Sequence, residues 1–466
     1  MVFIHPAEEE ITGEVIDKFI KLHQAEIPRY LRLKELYESR GPILEQEEKT
    51  LDKPDNRLVV NNAKQLVDSY NGYFIGIPVK VNHENENIAD FIKNFRNIND
   101  MDDNESELSK IAAIYGHGFE YIFQDEDTVS RCIYNTPLDM FIVYDDTIQQ
   151  NPLFAVRWYV TDEGYEGQLF TADKEAKILN TGKETILTDE EDKHFGGVPI
   201  IEWLENEERT SVFEPVETLI NAYNKALSEK ANDVDYFADA YLALLGAELD
   251  EKGATKIRDN RIINLFGEVD ASKIIVKFLD KPDGDATQEH LLDRIERLIY
   301  EKSMVANIND ESFGNATGVA LEFKLQPMKN LAINKERKVK SAMSRRFKLL
   351  FNLVTNVPAA MKDEWLNLEY TFTRNIPRNV ADEAEIAANL QGVVSEETQL
   401  KVLSIVDNVQ DEIAKKKAER EAEAVDYPTD ENRDFLTTNK TLEAISKMPE
   451  KHRDAAKDVL EGMKRS

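Results

Sequence analysis

Residues 215–246 read PVETLINAYNKALSEKANDVDYFADAYLALLG, and the periodicity of this segment organises everything around it. Val216, Leu219, Ile220, Tyr223, Leu227, Val234, Phe237, Tyr241 and Leu244 follow one stripe at helical spacing. About 30 residues at 1.5 Å each make a helix of roughly 45 Å. Gly253 to Asp285 then carries strand-like runs at Arg261–Phe266 and Ile274–Leu279, and a second helix follows from Thr287 with Leu291, Ile295, Leu298 and Ile299 on one face. The pattern is two helices running out and back with a small β-containing module at their tip. Such a pair makes a poor compact domain, because its remaining apolar faces need partners. Lateral copies in a ring would supply them.

On the N-terminal side, residues 8–40 read as two helices, with Val15, Phe19 and Leu22, then Ile27, Tyr30 and Leu31, recurring at helical spacing around Pro28. Asn61–Tyr73 is another helical run, and the glycines and Pro78 after it turn the chain toward a strand. From Phe119 to Ile178 short β-rich runs (Phe119–Gln124, Arg131–Tyr134, Phe141–Tyr144, Phe154–Thr161, Gln168–Thr171) alternate with turn residues, a meander of hairpins. On the C-terminal side, Ala306–Gly318 reads as a loop and Val319–Thr355 as a long helix that Pro327 should kink. Residues 381–424 read as short helices capped by Ser395 and Asp407, and the charged last 40 residues hold one helix from Thr441. The expected fold is α+β, mainly α, in several domains. No internal repeat is visible.

The chain has 466 residues, with 58 Lys plus Arg against 89 Asp plus Glu, a net charge of −31. A broad basic surface that grips nucleic acid is excluded, since phosphate binding needs clustered cations. A wall past which DNA slides without sticking is not excluded. The single cysteine, Cys132, rules out an intrachain disulfide and a cysteine-rich zinc site, and fits a reducing compartment. The N-terminus has neither a basic region nor an apolar core of a secretion signal, and the longest apolar run, Ala240–Ala247, falls far short of the roughly 18 residues that cross a bilayer. A soluble protein made in the cytoplasm is expected, with no membrane partner.

Catalytic signatures are sparse. Gly182-Lys183-Glu184-Thr185 lacks the upstream glycine of a phosphate-binding loop, and Gly116-His117-Gly118 lacks the third glycine of a dinucleotide site. Seven scattered histidines show no metal-ligand spacing, and Gly-x-Ser-x-Gly is absent. Acidic clusters occur at Asp100 with Asp102-Asp103, at Asp145-Asp146 and at Asp189-Glu190-Glu191-Asp192. They read as solvated loops; a magnesium site would need carboxylates converging from separate strands. Between 335 and 348 lie Lys335, Arg337, Lys338, Lys340, Arg345, Arg346 and Lys348 against one acid, Glu336. A solvated helix face, acids of a neighbouring subunit, and direct DNA contact are the three uses open to this run. Pairing across a subunit interface is favoured, since a head-to-tail ring needs two different complementary surfaces.

Five further motifs fall in order: Asn62-Ala63-Lys64, Val67-Asp68 and Gly72-Tyr73-Phe74-x-Gly76-x-Pro78-Val79; Tyr115-Gly116; Ala222-Tyr223-Asn224…Leu227-Ser228…Asn232-Asp233…Tyr236-Phe237-Ala238; Phe313-Gly314-Asn315-x-Thr317-Gly318-Val319-Ala320-Leu321; and Ser395-x-x-Thr398…Asp407…Glu412. Over residues 55–424 the chain resembles the portal proteins of long-tailed bacteriophages of Gram-positive hosts. The resemblance implies a ring, generally of twelve subunits in the virion, at one capsid vertex, with double-stranded DNA passing non-specifically through a central channel during packaging and ejection. It implies a wing at 1–210, a stem helix at 211–246, a clip at 247–285, a second stem helix at 286–305, a tunnel loop at 306–318, a kinked helix and wing return at 319–375, and a crown with C-terminal tail at 376–466.

By the same resemblance the loop offers DNA Asn307, Asn309, Asp310, Glu311, Ser312, Phe313, Gly314, Asn315, Thr317 and Gly318, with no cation. Implied partners are the terminase large subunit, a head-completion or adaptor protein, and the major capsid and scaffolding proteins. The implied locations are the virion and, during assembly, the host cytoplasm. No catalytic residue, metal or cofactor is expected; packaging energy would come from a separate ATPase. The rival readings are a magnesium-dependent nucleic-acid enzyme using an acidic cluster and a capsid-assembly protein without a channel.

Overall fold

The computed structural model describes residues 2–49, 53–238, 242–245, 275–278, 285–308, 318–376, 380–403, 405, 406 and 408–426, and, further on, 443, 445–450, 452–454, 456 and 457. The chain divides into two compact units, Met1–Asn375 and Ile376–Ser466.

The first unit is built on strands. β1 (Phe3–His5), β5 (Met140–Asp145), β6 (Pro152–Val160), β7 (Tyr165–Phe170), β8 (Lys174–Asn180) and β9 (Thr185–Asp192) form one six-stranded sheet in that order. The β1–β5 pairing is parallel and the others are antiparallel hairpin neighbours. A second sheet has the order β10 (Ile200–Leu204), β3 (His117–Gln124), β4 (Ser130–Asn135). Strand β5 is buried on both faces, and its alternation divides the core. Phe141 and Val143 join Phe154, Val156, Trp158 and Ile178 on one side, while Met140 and Ile142 join Phe119, Ala155, Phe170 and Ile200 on the other.

The first of these clusters is closed by α1 (Gly13–Tyr37), capped by the Thr12 side chain. It is one helix where two were expected. Pro28 lies inside it, but the buried stripe Ile16, Phe19, Ile20, His23, Tyr30, Leu33 and Leu36 continues in phase across the proline. Packing on the sheet offsets the roughly 3 kcal/mol that an interior proline costs. Next come α2 (Asn62–Ile75), β2 (Lys80–Asn82), α3 (Glu86–Ile98) and α4 (Met101–Tyr115). β2 pairs antiparallel with β13 (Glu369–Thr371). Gly116 ends α4 at φ +92, and a Cβ there would lie 2.0 Å from Arg209 O, so only glycine fits between the helix and β3.

Most of the long apolar stripe that begins at Val216 forms α5 (Glu217–Ala238). Its helix is shorter than the stripe suggests. Leu242–Leu245 is a strand, β11, paired antiparallel with β12 (Ile275–Phe278), so Leu244 leaves the helical series. β12 falls within the expected run Ile274–Leu279, whereas 261–266 lies outside the described residues. α6 (Asp285–Ser303) returns beside α5, and α7 (Gly318–Asn352) spans 35 residues with Pro327 inside it, in the third turn.

In the second unit, α8 (Val380–Leu390), α9 (Glu396–Leu400) and α10 (Val409–Asp426) follow one another. Ser395 caps α9 through Thr398 N, as its position suggests. The side chain that accepts from the first amides of α10 is Asn408, bonded to Gln410 N and Asp411 N; Asp407 lies outside the described residues.

Candidate channel loop and ring-contact surfaces

Three polar residues spaced by four, Asn224, Ser228 and Asn232, are buried on α5. They take the backbone amides of alternate residues in an extended strap. Val60 N donates to Asn224 Oδ1 (2.9 Å), Leu58 N to Ser228 Oγ (2.9 Å) and Asn56 N to Asn232 Oδ1 (2.6 Å). Two residues of extended chain advance about 6.6 Å and four helical residues about 6 Å, so the strap stays in register antiparallel to the helix. These are the motif residues Asn224, Ser228 and Asn232. Their place in the motif is explained by a backbone they satisfy, a buried donor left unmet costing about 1–3 kcal/mol.

On α6, Gln288 donates to Asp233 (3.0 Å) and Glu289 pairs with Lys230, so polar contacts tie the two helices together at this level. Their apolar residues are not all covered within the chain. Val234 is 60% and Leu291 51% exposed, and just beyond the pair Ile308 is 55% and Phe323 75% exposed. Of the loop residues, Asn307 is described, and Gly318 is the first residue of α7. Asn309, Asp310, Glu311, Ser312, Phe313, Gly314, Asn315 and Thr317 lie outside the described residues.

The basic run on α7 divides into three groups. Lys335 and Arg346 are 0% exposed and are spent inside their own chain. Lys335 Nζ lies 2.6 Å from Glu205 Oε2, donates to Ser109 O (2.9 Å), and sits 5.1 and 5.2 Å from the ring centres of Tyr70 and Phe74. Desolvation drives the Lys335 pKa down and that of Glu205 up, and the charge of each partner works against the other's shift. Arg346 donates through Nη1 to Glu105 and through Nε to Glu120, both at 2.6 Å. Glu120 also accepts from Trp203 Nε1 (2.9 Å) and from Cys132 Sγ (2.7 Å), and Arg96 reaches Glu105 at 3.0 Å. Burial opposes charge on Arg346, but its two carboxylates outweigh it and its pKa is raised; burial and Glu120 together push the Cys132 thiol well up.

Lys335 and Arg346 are therefore not cations offered to another subunit, a correction to the expectation for this helix. The signal was present in the sequence. Both fall in phase with Met328, Ala332, Val339, Ala342, Met343, Phe347 and Leu350, the buried stripe of α7. The second group is paired but less buried: Lys338 with Glu207, Lys340 over the Tyr370 ring at 5.9 Å and Lys348 over Trp365 at 5.7 Å. The third is Arg337, which is exposed, and Arg345, which donates to Val198 O at 3.4 Å.

The acidic clusters have structural occupations. Asp102, in the first turn of α4, pairs with Arg96 at 2.6 Å. Asp145 closes the β5–β6 turn by accepting from Thr147 Oγ1 (2.6 Å) and Asn151 N (3.1 Å), bonds that lower its pKa, and Asp146 accepts from Ala7 N (3.2 Å). On the hairpin, Asp189 pairs with Lys177, Glu190 with Lys174 and Glu191 with Lys193. Among the described residues, no three His, Cys, Asp or Glu are placed to hold a metal ion, and no helix is long and apolar enough to cross a membrane.

Two histidines are structural hubs that spacing alone did not single out. His23 accepts from Trp158 Nε1 (2.9 Å) at Nδ1 and donates from Nε2 to Pro137 O (2.8 Å); burial lowers its pKa to about 4. His117 lies between Tyr30 (3.0 Å) and Glu202 (2.6 Å), and Glu202 also takes both ends of the Arg209 guanidinium at 2.7 Å.

Residues 16–426 match the family model described as phage portal protein, SPP1 Gp6-like. The portal protein of Bacillus phage SPP1 is 23% identical over 435 residues, 87% of this chain and 84% of that one. The portal protein of Clostridium phage phiCD119 is 22% identical over 443 residues, 85% of this chain and 94% of that one. Among solved structures, a chain from the neck of a native gene transfer agent particle, computed with C12 symmetry, aligns over 81% of this chain and 94% of its own at 11% identity, with a TM-score of 0.46. One from the neck of the empty particle, computed with C6 symmetry, covers 73% and 89% at 11% identity, with a TM-score of 0.45. The match spans both compact units, from within α1 to the end of α10, and on it the chain belongs to the SPP1 Gp6-like family of phage portal proteins.

Proposed function

We propose that this chain works as a conduit for double-stranded DNA at a capsid vertex, closing a ring of twelve copies and letting the duplex pass in and out without sequence-specific contact. The coarse function follows from the family: the protein is a phage portal protein, a structural subunit of the capsid-vertex ring. The observation that carries the reading is the family match over residues 16–426.

Two physical features support the finer assignment. The α5–α6 pair leaves Val234 and Leu291 exposed, apolar surface that copies of the chain would cover. The net charge of −31 gives DNA a mostly repulsive wall, which keeps a duplex carrying one charge per roughly 1.7 Å mobile rather than bound. In this reading 1–210 and 319–375 form the wing, 211–246 and 286–305 the stem, 247–285 the clip that meets the terminase large subunit and then the head-completion protein, and 376–466 the crown. The loop 306–318 lines the narrowest part of the channel. The protein performs no chemistry of its own, and assembles with capsid and scaffolding proteins in the host cytoplasm before residing in the virion.

Negative-stain microscopy with light scattering on the purified chain tests the ring. A hollow particle near 640 kDa, twelve copies of 53.4 kDa, is expected, and a monodisperse monomer at high concentration overturns it. Deleting Ser312–Ala316 should leave rings intact and impair DNA filling; unaltered filling removes the loop from the channel.

A further inference from the structure

Of the seven cations between 335 and 348 on α7, Arg345 is the one in an unusual electrostatic position. Its Nε is buried without a hydrogen-bond partner, and among the described residues no carboxylate lies within ion-pair distance. It borders a cleft of about 330 Å3 in the first unit, between α7, β10 and the end of β5. The other cations of that cleft are already neutralised, Arg209 by Glu202 and Lys338 by Glu207. Tyr144 spends its hydroxyl on Glu202. The cleft thus holds one uncompensated positive charge, partly stripped of water, and burial lowers the Arg345 pKa accordingly. A chain that keeps its interior cations on well-placed carboxylates leaves this one open beside an empty volume that could admit an acidic side chain.

We propose that the cleft at Arg345 is a socket for a carboxylate side chain of a neighbouring copy of this chain. The inference rests on the ring reading and deepens it, by reducing the basic helix to a single interface cation. The occupant follows from charge and topology: 89 acids on each chain give a neighbour many candidate donors, and a head-to-tail contact places two different faces together. A guanidinium fork receives a carboxylate in two parallel bonds, which also fixes the angle between subunits.

The prediction has an unusual sign. An unpaired, partly buried cation is costly in the isolated chain, so Arg345→Gln should leave the melting temperature of the dissociated subunit unchanged or raised. The same substitution should raise the protein concentration for half-assembly at least tenfold, and Arg345→Lys, keeping the charge but not the fork, should recover only part of that loss. Ser341 is exposed at the cleft mouth and Cys132 is buried, so Ser341→Cys in the full chain offers one accessible thiol. Its reaction with a maleimide should slow at least tenfold on assembly. Rings in which this thiol reacts at the subunit's rate, or Arg345→Gln rings that assemble at the wild-type concentration, overturn the proposal and leave the portal ring standing. Protection of the thiol by a DNA duplex without assembly overturns it in favour of phosphate. Failure of the wild-type chain to form any ring removes the ring reading itself, and the socket with it.

Discussion

The β8–β9 hairpin and the helix α7 both pair lysines or arginines with carboxylates, at similar distances and with opposite consequences. On the hairpin, Lys177–Asp189 is 2.7 Å and Lys174–Glu190 is 2.8 Å, with more than half of each side chain in solvent. On α7, Lys335–Glu205 and Arg346–Glu105 are 2.6 Å with no more than 1% of any of these side chains exposed. Water screens the first pairs and makes them nearly dispensable, at a median of about 0–1 kcal/mol. Removing one member of a buried pair strands the other in a medium that cannot solvate it, at about 3–5 kcal/mol. Distance alone therefore says little about what an ion pair does in this protein. Burial separates an edge strand kept soluble by charge from an interior held in one arrangement.

The comparison is broken most directly at Arg346. Arg346→Met leaves Glu105 and Glu120 facing each other in the core, and should cost roughly 3–5 kcal/mol in urea unfolding of the dissociated chain; a loss below 1 kcal/mol would place the two regions in one class. Lys335→Met should cost about 3 kcal/mol for the same reason. The double variant Lys335→Met/Glu205→Met should recover most of the loss, because no charge is then left stranded. Failure of that recovery would mean that Lys335 acts mainly through Ser109 and the Tyr70 and Phe74 rings.

His23 extends the comparison to pH. Its folded pKa, about 4, lies below the unfolded value of 6.5, so the unfolded chain binds the proton first on acidification. Its contribution is complete above pH 6.5 and is lost as pH falls toward 4, at up to about 1.4 kcal/mol per unit. A melting-temperature profile should steepen in that window, and His23→Leu should flatten it while lowering stability at pH 8 through loss of the Trp158 and Pro137 bonds. The smallest effect is expected for Lys177→Ala, at most about 0.5 kcal/mol and vanishing in 1 M salt. A larger, salt-resistant loss would show the hairpin pair to be buried by something outside the chain.

How far the sequence could be read depended on whether a feature was local. The helices at 62–75, 285–303 and 318–352 and the strands β3 to β7 follow from apolar spacing and turn residues within their own segments. The failures share a cause. Pro28 signals a break, yet α1 continues because the sheet beneath it supplies the buried stripe. Leu244 continues the helical series of α5, yet pairing of Leu242–Leu245 with Ile275–Phe278 claims it for a strand. Helices α3 and α4 and strands β1, β8, β9, β10 and β13 went unassigned; β10 is short and takes its place from β3, some 80 residues earlier in the chain.

The sequence by itself determined the family, through motifs whose order along the chain survives without any three-dimensional information, and it determined the overall acidity, which is a sum over residues. It also marked α7 as basic. Only the tertiary structure decided what those cations are for, because the carboxylates that consume Arg346 lie 226 and 241 residues away and Glu205 lies just after β10, far from Lys335 in the chain. Periodicity reports which face of a helix a residue occupies. The partner across that face, and with it the difference between a buried strut and a free charge, depends on how distant segments pack.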